Sequence, residues 1–210
     1  MVCMLRIARR PRVWTRPQWL RASTQRFSSS AYDGEMTDAM RFECVNPPAT
    51  TLEPKQLRGR PVLVVNTASQ CQYAPQLKDL QTLYDKYHAQ GLEIIAVPSN
   101  DFDRKEPASD EELTMVYSKA ETFQVAFPIA KKTGVIGEDA HAFFARIAQI
   151  YGRSVAPTWN FDKFLVDAYG DLAAVFPHDT EPLVPQVIEA IEDAIADMPT
   201  PGDEEEDDED

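Results

Sequence analysis

The sequence predicts an α/β domain in which a central mixed sheet is flanked by helices. Three observations carry that expectation. Pro61-Val62-Leu63-Val64-Val65 is a short apolar run without alternation, the pattern of a strand covered on both faces. Leu77, Leu80, Leu83, Tyr84 and Tyr87 then recur at helical spacing up to Gly91, which can end a helix, and Leu92 to Val97 is again strand-like up to Pro98. A strand, a loop, a helix and a strand in this order imply a right-handed crossover between two parallel strands. The loop after the first strand then lies at the carboxyl edge of the sheet.

The remaining elements follow in order. Ser109 with Glu112 three residues on forms a capping box that opens a helix from Asp110 to Phe123. Phe127-Pro128-Ile129 punctuates the chain. Phe143, Phe144, Ile147, Ile150 and Tyr151 mark a second amphipathic helix. Phe164-Leu165-Val166, a turn at Tyr169-Gly170-Asp171, and Leu172 to Phe176 read as a β-hairpin. A last helix runs from about Pro185 to Ile195, with Val187, Ile188, Ile191 and Ile195 on one face. There is no internal repeat.

Charge is distributed very unevenly along the 210 residues, whose formal net charge is −13. Residues 1–32 carry seven arginines and no Asp, Glu or Lys, with Trp14, Trp19 and Leu20 interleaved and a serine run at 28–30. That composition fits a mitochondrial presequence, which would send the protein to the matrix. It also fits sequence upstream of a true start at Met36, which would leave the protein cytoplasmic. On neither reading does the segment take part in the fold. The domain itself is expected over 37–197 and a disordered acidic tail over 198–210, ending in eight consecutive carboxylates from Asp203 to Asp210. An acidic body of this kind is repelled by nucleic acid and by anionic membranes, and no apolar run is long enough to span a bilayer.

The only cysteines are Cys3, Cys44 and Cys71, too few for a disulfide framework, so a reducing compartment is expected. His88, His141 and His178 have no metal-ligand spacing, and no zinc site is expected. Cys71 stands out because it lies in the loop after the first central strand, just before a helix. There the helix dipole and its unpaired N–H groups favour the thiolate, the nucleophilic form. Its polar neighbours Ser69, Gln70, Gln72 and Tyr73 argue against burial in an apolar core.

Four blocks then make the chain recognisable. They are Asn66-Thr67-Ala68-Ser69-Gln70-Cys71; Pro98-Ser99-Asn100-Asp101-Phe102 with Glu106-Pro107; Phe127-Pro128; and Trp159-Asn160-Phe161-Asp162-Lys163-Phe164-Leu165. In this order and spacing, residues 42–196 resemble the glutathione peroxidase family. The resemblance implies a thioredoxin-like fold and a thiol-dependent peroxidase that reduces hydrogen peroxide and organic or lipid hydroperoxides in the response to oxidative stress. It implies Cys71 as the peroxidatic residue, with Trp159 and Asn160 as N–H donors to the reacting sulfur. No metal, flavin or nucleotide cofactor is implied; the reducing co-substrate would be glutathione or a thioredoxin-like protein, and the protein a monomer or dimer.

The chain also departs from the family pattern. Asp101 stands where the family commonly has a fourth catalytic residue, Gln, although the bacterial branch often reads Ser-Asn-Asp-Phe. A carboxylate there can accept the thiol proton or be held protonated, but when ionised it cannot donate to a thiolate. Gln72 replaces a glycine after the cysteine and adds bulk near the sulfur. The stretch Asp110–Phe123 holds Tyr117 and Ser118 but no resolving cysteine, so reduction falls to an external thiol or to Cys44. Two other readings remain open at this stage: a peroxide redox sensor, and a catalytically impaired binding domain.

Overall fold

The computed structural model describes residues 14–15, 35–46, 51–119 and 121–199. Their elements in chain order are β1 (Trp14–Thr15), α1 (Glu35–Asp38), β2 (Phe42–Glu43), β3 (Thr51–Leu52), α2 (Pro54–Leu57), β4 (Val62–Thr67) and α3 (Gln76–Tyr87). A short 3₁₀ turn at His88–Gln90 leads into β5 (Glu93–Pro98), followed by α4 (Asp110–Ser118), α5 (Ala142–Tyr151), β6 (Lys163–Val166), β7 (Leu172–Phe176) and α6 (Pro185–Ala196). The main sheet has the order β1-β7-β6-β4-β5, and β2 pairs with β3 separately. β4 is parallel to β5 and antiparallel to β6, so the sheet is mixed, as the sequence predicts.

Alternation along the central strands sorts the core into two layers. Leu63 and Val65 of β4, Ile94 and Ala96 of β5, and Leu165 of β6 face one layer, closed by Leu77, Leu80, Leu83 and Tyr87 of α3, Leu113 and Tyr117 of α4, and Val187 and Ile191 of α6. Val62, Val64, Ile95, Val97, Phe164 and Val166 face the other, closed by Met36 of α1 and by Phe143, Phe144 and Ile147 of α5. The second layer is aromatic: Phe143, Phe144 and Phe164 meet edge to face at centroid distances of 5.1–6.2 Å. Because β4 and β5 are buried on both faces, their sequences show no alternation.

Three boundaries differ from the sequence reading. The capping box at Ser109 and Glu112 is present, but α4 stops at Ser118 instead of Phe123. Val125 N–H reaches back to the Tyr117 carbonyl at 3.0 Å and Gln124 takes φ +58°, so the chain folds back on the helix end. The segment 1–32 does contribute to the fold: Trp14–Thr15 pairs antiparallel with Ala174 and Val175, capping an open strand edge. The rest of that segment lies outside the described residues, as does the carboxylate run at 203–210. At the other end, Met198 and Pro199 pack on the domain, against Gly91 and Gly59.

Gly91 closes the turn into β5 at φ +115°, a conformation that L side chains rarely adopt. A Cβ there would also lie 2.7 Å from Met198 Sδ, but that sulfur is the flexible end of a side chain and can move aside. Gly91→Ala is therefore expected to destabilise the domain by about 1–2 kcal/mol through backbone strain. Urea denaturation checks this, and adding Met198→Ala should recover little of the loss.

Candidate active site

Topology brings three loops to one edge of the sheet. The loop after β4 carries Cys71. β5 is parallel to β4, so the loop after β5, residues 99–109, emerges beside it. β6 is antiparallel, so the turn that precedes it, residues 158–162, arrives at the same edge. Backbone bonds join the three: Phe161 N–H donates to the Asn66 carbonyl at 2.6 Å, Ser99 N–H to Thr67 at 2.9 Å, and Gln70 N–H to Lys105 at 2.9 Å. The Asn66 side-chain amide donates to the Trp159 carbonyl at 2.9 Å, and the Asn160 amide to the Phe102 carbonyl at 3.3 Å. Phe161 takes φ +78°, a strained value for an aromatic residue, at the point where this turn locks onto β4.

Cys71 is only 5% exposed and belongs to the first core layer together with Ala68 and Ala74, with the Trp159 ring packed against that layer. This corrects the expectation that polar neighbours would keep it out of the core. Those neighbours find partners of their own. Ser69 N–H and Oγ both donate to Glu106, at 2.8 and 2.9 Å, and Gln72 points to solvent. The 71–75 stretch is a run of turns, with Ala74 N–H donating to the Cys71 carbonyl at 3.0 Å, and α3 proper begins at Gln76.

Two carboxyl groups organise the loops. Glu106 is fully buried and accepts from Ser69 N and Oγ, from Ala108 N at 3.3 Å and from the Tyr117 hydroxyl at 2.8 Å. Tyr117 also meets Thr67 Oγ1 at 3.0 Å. Burial first, and then the neighbouring Glu106, holds the Tyr117 phenol well above its ordinary pKa, so it stays a neutral donor. Asp162 is the second organiser. Its Oδ2 accepts from Thr158 N at 2.6 Å, Thr158 Oγ1 at 2.7 Å and Trp159 N at 3.2 Å, while Oδ1 accepts from His178 N at 2.7 Å and lies 3.1 Å from His178 Nδ1. The His178 ring lies against Tyr73, two residues from Cys71, at a centroid distance of 5.1 Å.

Of the residues singled out from sequence, Cys71, Trp159 and Asn160 thus sit on loops of one sheet edge. Asp101 shares the loop after β5, but its carboxylate is occupied elsewhere: Oδ2 accepts from Val135 N at 2.6 Å and Ile136 N at 3.1 Å. Cys44 lies in the second core layer, across the sheet from Cys71, and burial pushes its thiol up to about 11. Both cysteines are free, and among the described residues no His, Cys, Asp and Glu cluster could hold a metal ion. The contact between Asp162 and His178 carries no local signal in the sequence, because only the β6–β7 hairpin brings these two residues together.

Lys163 supports the turn from below. It is fully buried, and its Nζ donates to the Phe161 carbonyl at 2.8 Å and lies 3.4 Å from that of Pro177. Burial lowers its pKa from 10.5 to about 7, against the opposing pull of Asp162 and Asp179. Between these values the unfolded chain holds the proton more tightly. The stability contributed by this group is therefore complete above the unfolded value and is lost as pH falls toward 7. Lys163→Met is expected to flatten the rise in stability between pH 7 and 9, as measured by urea denaturation at both values.

Comparison with known proteins agrees with this architecture. The glutathione peroxidase family model matches residues 40–148. The glutathione peroxidase-like peroxiredoxin 2 of Saccharomyces cerevisiae is 38% identical over 145 residues, covering 67% of this chain and 88% of its own length. The glutathione peroxidase homolog BsaA of Bacillus subtilis is 34% identical over 148 residues, covering 68% and 89%. Among solved structures, Trgpx in its apo form superimposes with a TM-score of 0.59 at 24% identity, over 80% of this chain and 99% of that one. DsbF of MTB gives 0.52 at 9% identity over 76% and 97%, a likeness of fold alone. With sequence relatives that run nearly their full length along it and a thioredoxin-like sheet beneath, the chain belongs to the glutathione peroxidase family.

Proposed function

We propose that this chain is a thiol-dependent peroxidase in which Cys71 reduces hydrogen peroxide and organic or lipid hydroperoxides. The observation that carries this reading is the convergence of Cys71 with Trp159 and Asn160 at one sheet edge, on loops joined by backbone hydrogen bonds. The names of the sequence relatives, peroxiredoxins and glutathione peroxidase homologues, support it.

In the first step the Cys71 thiolate attacks one peroxide oxygen. An S–O bond forms, the O–O bond breaks, sulfur loses two electrons, and the departing alkoxide or hydroxide takes up a proton to leave as alcohol or water. The indole N–H of Trp159 and a carboxamide N–H of Asn160 stabilise the thiolate and then the negative charge that grows on the departing oxygen. The Asn160 amide spends one hydrogen on the Phe102 carbonyl and has a second to offer. The Cys71 sulfenic acid then condenses with a reducing thiol, releasing water and forming a mixed disulfide. A second thiol displaces Cys71 and leaves with the first as a disulfide. Glutathione and thioredoxin-like proteins are both reductants of this kind. Asp101, tied to the 135–136 backbone, acts by positioning its loop and not by moving a proton.

Intact mass of the reduced protein after one equivalent of hydrogen peroxide tests the reading. The wild type gains one oxygen at Cys71 within seconds and is restored by thiol, while Cys71→Ser gains none and consumes no peroxide. A Cys71 that reacts no faster than a free thiol in solution would overturn the proposal. Asp162→Ala frees the Trp159 turn and is expected to slow Cys71 oxidation by about 10²-fold, read by stopped-flow with the fold verified by circular dichroism.

A further inference from the structure

The loop between β5 and α4 contains a strained turn. Asp103 and Arg104 take φ +56° and +52°, two consecutive left-handed residues of which neither is glycine. L side chains adopt that conformation rarely and at a cost, so the surrounding structure has to impose it. Both ends of the turn are tied. On one side Asp101 Oδ2 accepts from Val135 N and Ile136 N, and Asp101 N–H donates to Ser99 Oγ at 3.3 Å. On the other, Glu106 N–H donates to Asn100 Oδ1 at 3.0 Å, and the Lys105 carbonyl accepts from Gln70 N–H at 2.9 Å.

Asp103 and Arg104 are themselves exposed, so the strain secures no packing of their own side chains. What the turn places is the residue before it. Phe102 is half-buried and packs against the second core layer. Its ring lies against that of Trp159, with centroids 5.7 Å apart and planes at 42°. Its carbonyl accepts from the Asn160 amide at 3.3 Å. One residue therefore touches both groups to which N–H donation is assigned, the first through its side chain and the second through its backbone. The carbonyl also decides which way the buried Asn160 amide lies, because a flipped amide would set two acceptors face to face. For Trp159, the bonds to Asp162 and Asn66 fix only the backbone N–H and carbonyl. The indole is set by packing, against the first core layer and against the Phe102 ring.

We propose that Phe102 is a positioning residue of the peroxidase site: its ring holds the Trp159 indole, its carbonyl holds the Asn160 amide, and the strained turn at 103–104 keeps both contacts in place. The proposal rests on Trp159 and Asn160 being the donors to the Cys71 sulfur. Phe102 exchanges no proton or electron and acts only through those two residues. Asp101 gains its part in the same way, because tying it to the 135–136 backbone fixes the segment on which Phe102 is mounted.

The test is a double-mutant cycle on the rate at which hydrogen peroxide oxidises reduced Cys71, followed by stopped-flow. Phe102→Leu keeps an apolar contact with the second layer but removes the ring, and is expected to slow oxidation about tenfold. Phe102→Tyr, which keeps the ring, should recover most of that loss. In a Trp159→Phe background the indole N–H is already gone, and adding Phe102→Leu should then slow oxidation by less than about twofold. Asp101→Ala should slow oxidation in the wild type and add little to Phe102→Leu. A residue that only fills the core would lower the urea midpoint and leave the oxidation rate of the folded protein unchanged. That result, or a tenfold loss that persists in the Trp159→Phe background, would overturn the proposal.

A second measurement does not depend on peroxide chemistry. In a Trp14→Phe, Trp19→Phe background Trp159 is the only tryptophan. Acrylamide quenching of its fluorescence should rise about twofold in Phe102→Leu and return toward the wild-type value in Phe102→Tyr. Quenching that does not change sinks the proposal even if Cys71 turns over peroxide. Increased quenching in a protein that fails to turn over leaves the hold on Trp159 standing and removes only the peroxidase reading.

Discussion

Strand β4 is hydrogen-bonded along both edges and buried on both faces, and the positions of the functional loops depend on it. A strand so enclosed cannot slip in register without turning one apolar set into the wrong layer. With β5 parallel on one side and β6 antiparallel on the other, its carboxyl end is where one loop leaves, a second leaves alongside, and a turn arrives. The bonds from Ser99 N to Thr67 O and from Phe161 N to Asn66 O are continuations of these two ladders beyond the regular pairing. The site is thus an extension of the sheet, which is how residues far apart in sequence are held with little freedom.

That rigidity is needed because the loops bury polar groups. Asn66, Thr67, Ser99, Glu106, Asn160, Asp162 and Lys163 are all buried, a dense polar seam between two apolar layers. Most are paired: Glu106 serves four donors, Asp162 serves the Trp159 turn and the His178 backbone, and Lys163 caps two carbonyls. Each such bond adds about 1 kcal/mol net, whereas an unpaired member costs about 1–3 kcal/mol. The seam therefore tolerates few alternative arrangements. The strain at Phe161, of order 1–3 kcal/mol for such a conformation, is held against this background. The energy of the sheet and seam is used to keep the turn that carries Trp159 and Asn160 in one shape.

The sequence made the strands, the main helices and the hairpin legible because each has a continuous apolar signal of the right period. It failed where tertiary contacts decide. α4 ends early because Phe123 turns back on Tyr117, with ring centroids 6.2 Å apart, and no local residue forbids further helix. Cys71 reads as exposed from its neighbours, yet Ser69 and Gln70 are satisfied by Glu106 and Lys105, residues that only the β4–β5 crossover brings near. Asp101 has the right loop, but the direction of its carboxylate is set by the 135–136 backbone. Trp14–Thr15 finds β7 because the hairpin leaves an open edge, a property of the sheet that no reading of residues 1–32 alone contains.

The arrangement of the sulfurs has a consequence for which partners matter. Tyr117, on the helix to which the resemblance assigns a resolving cysteine in other members, places a phenol against Thr67 and Glu106, so it is committed to holding the Cys71 loop. Cys44 is separated from Cys71 by the sheet and held in its thiol form by burial. Cys44 cannot form a disulfide with Cys71 without unpacking a core layer, so among the described residues no second thiol stands ready to reduce Cys71. What the Cys71 loop presents to solvent is Gln72, at the position where the resemblance to the family implies a glycine, so this side chain borders the approach to the buried sulfur.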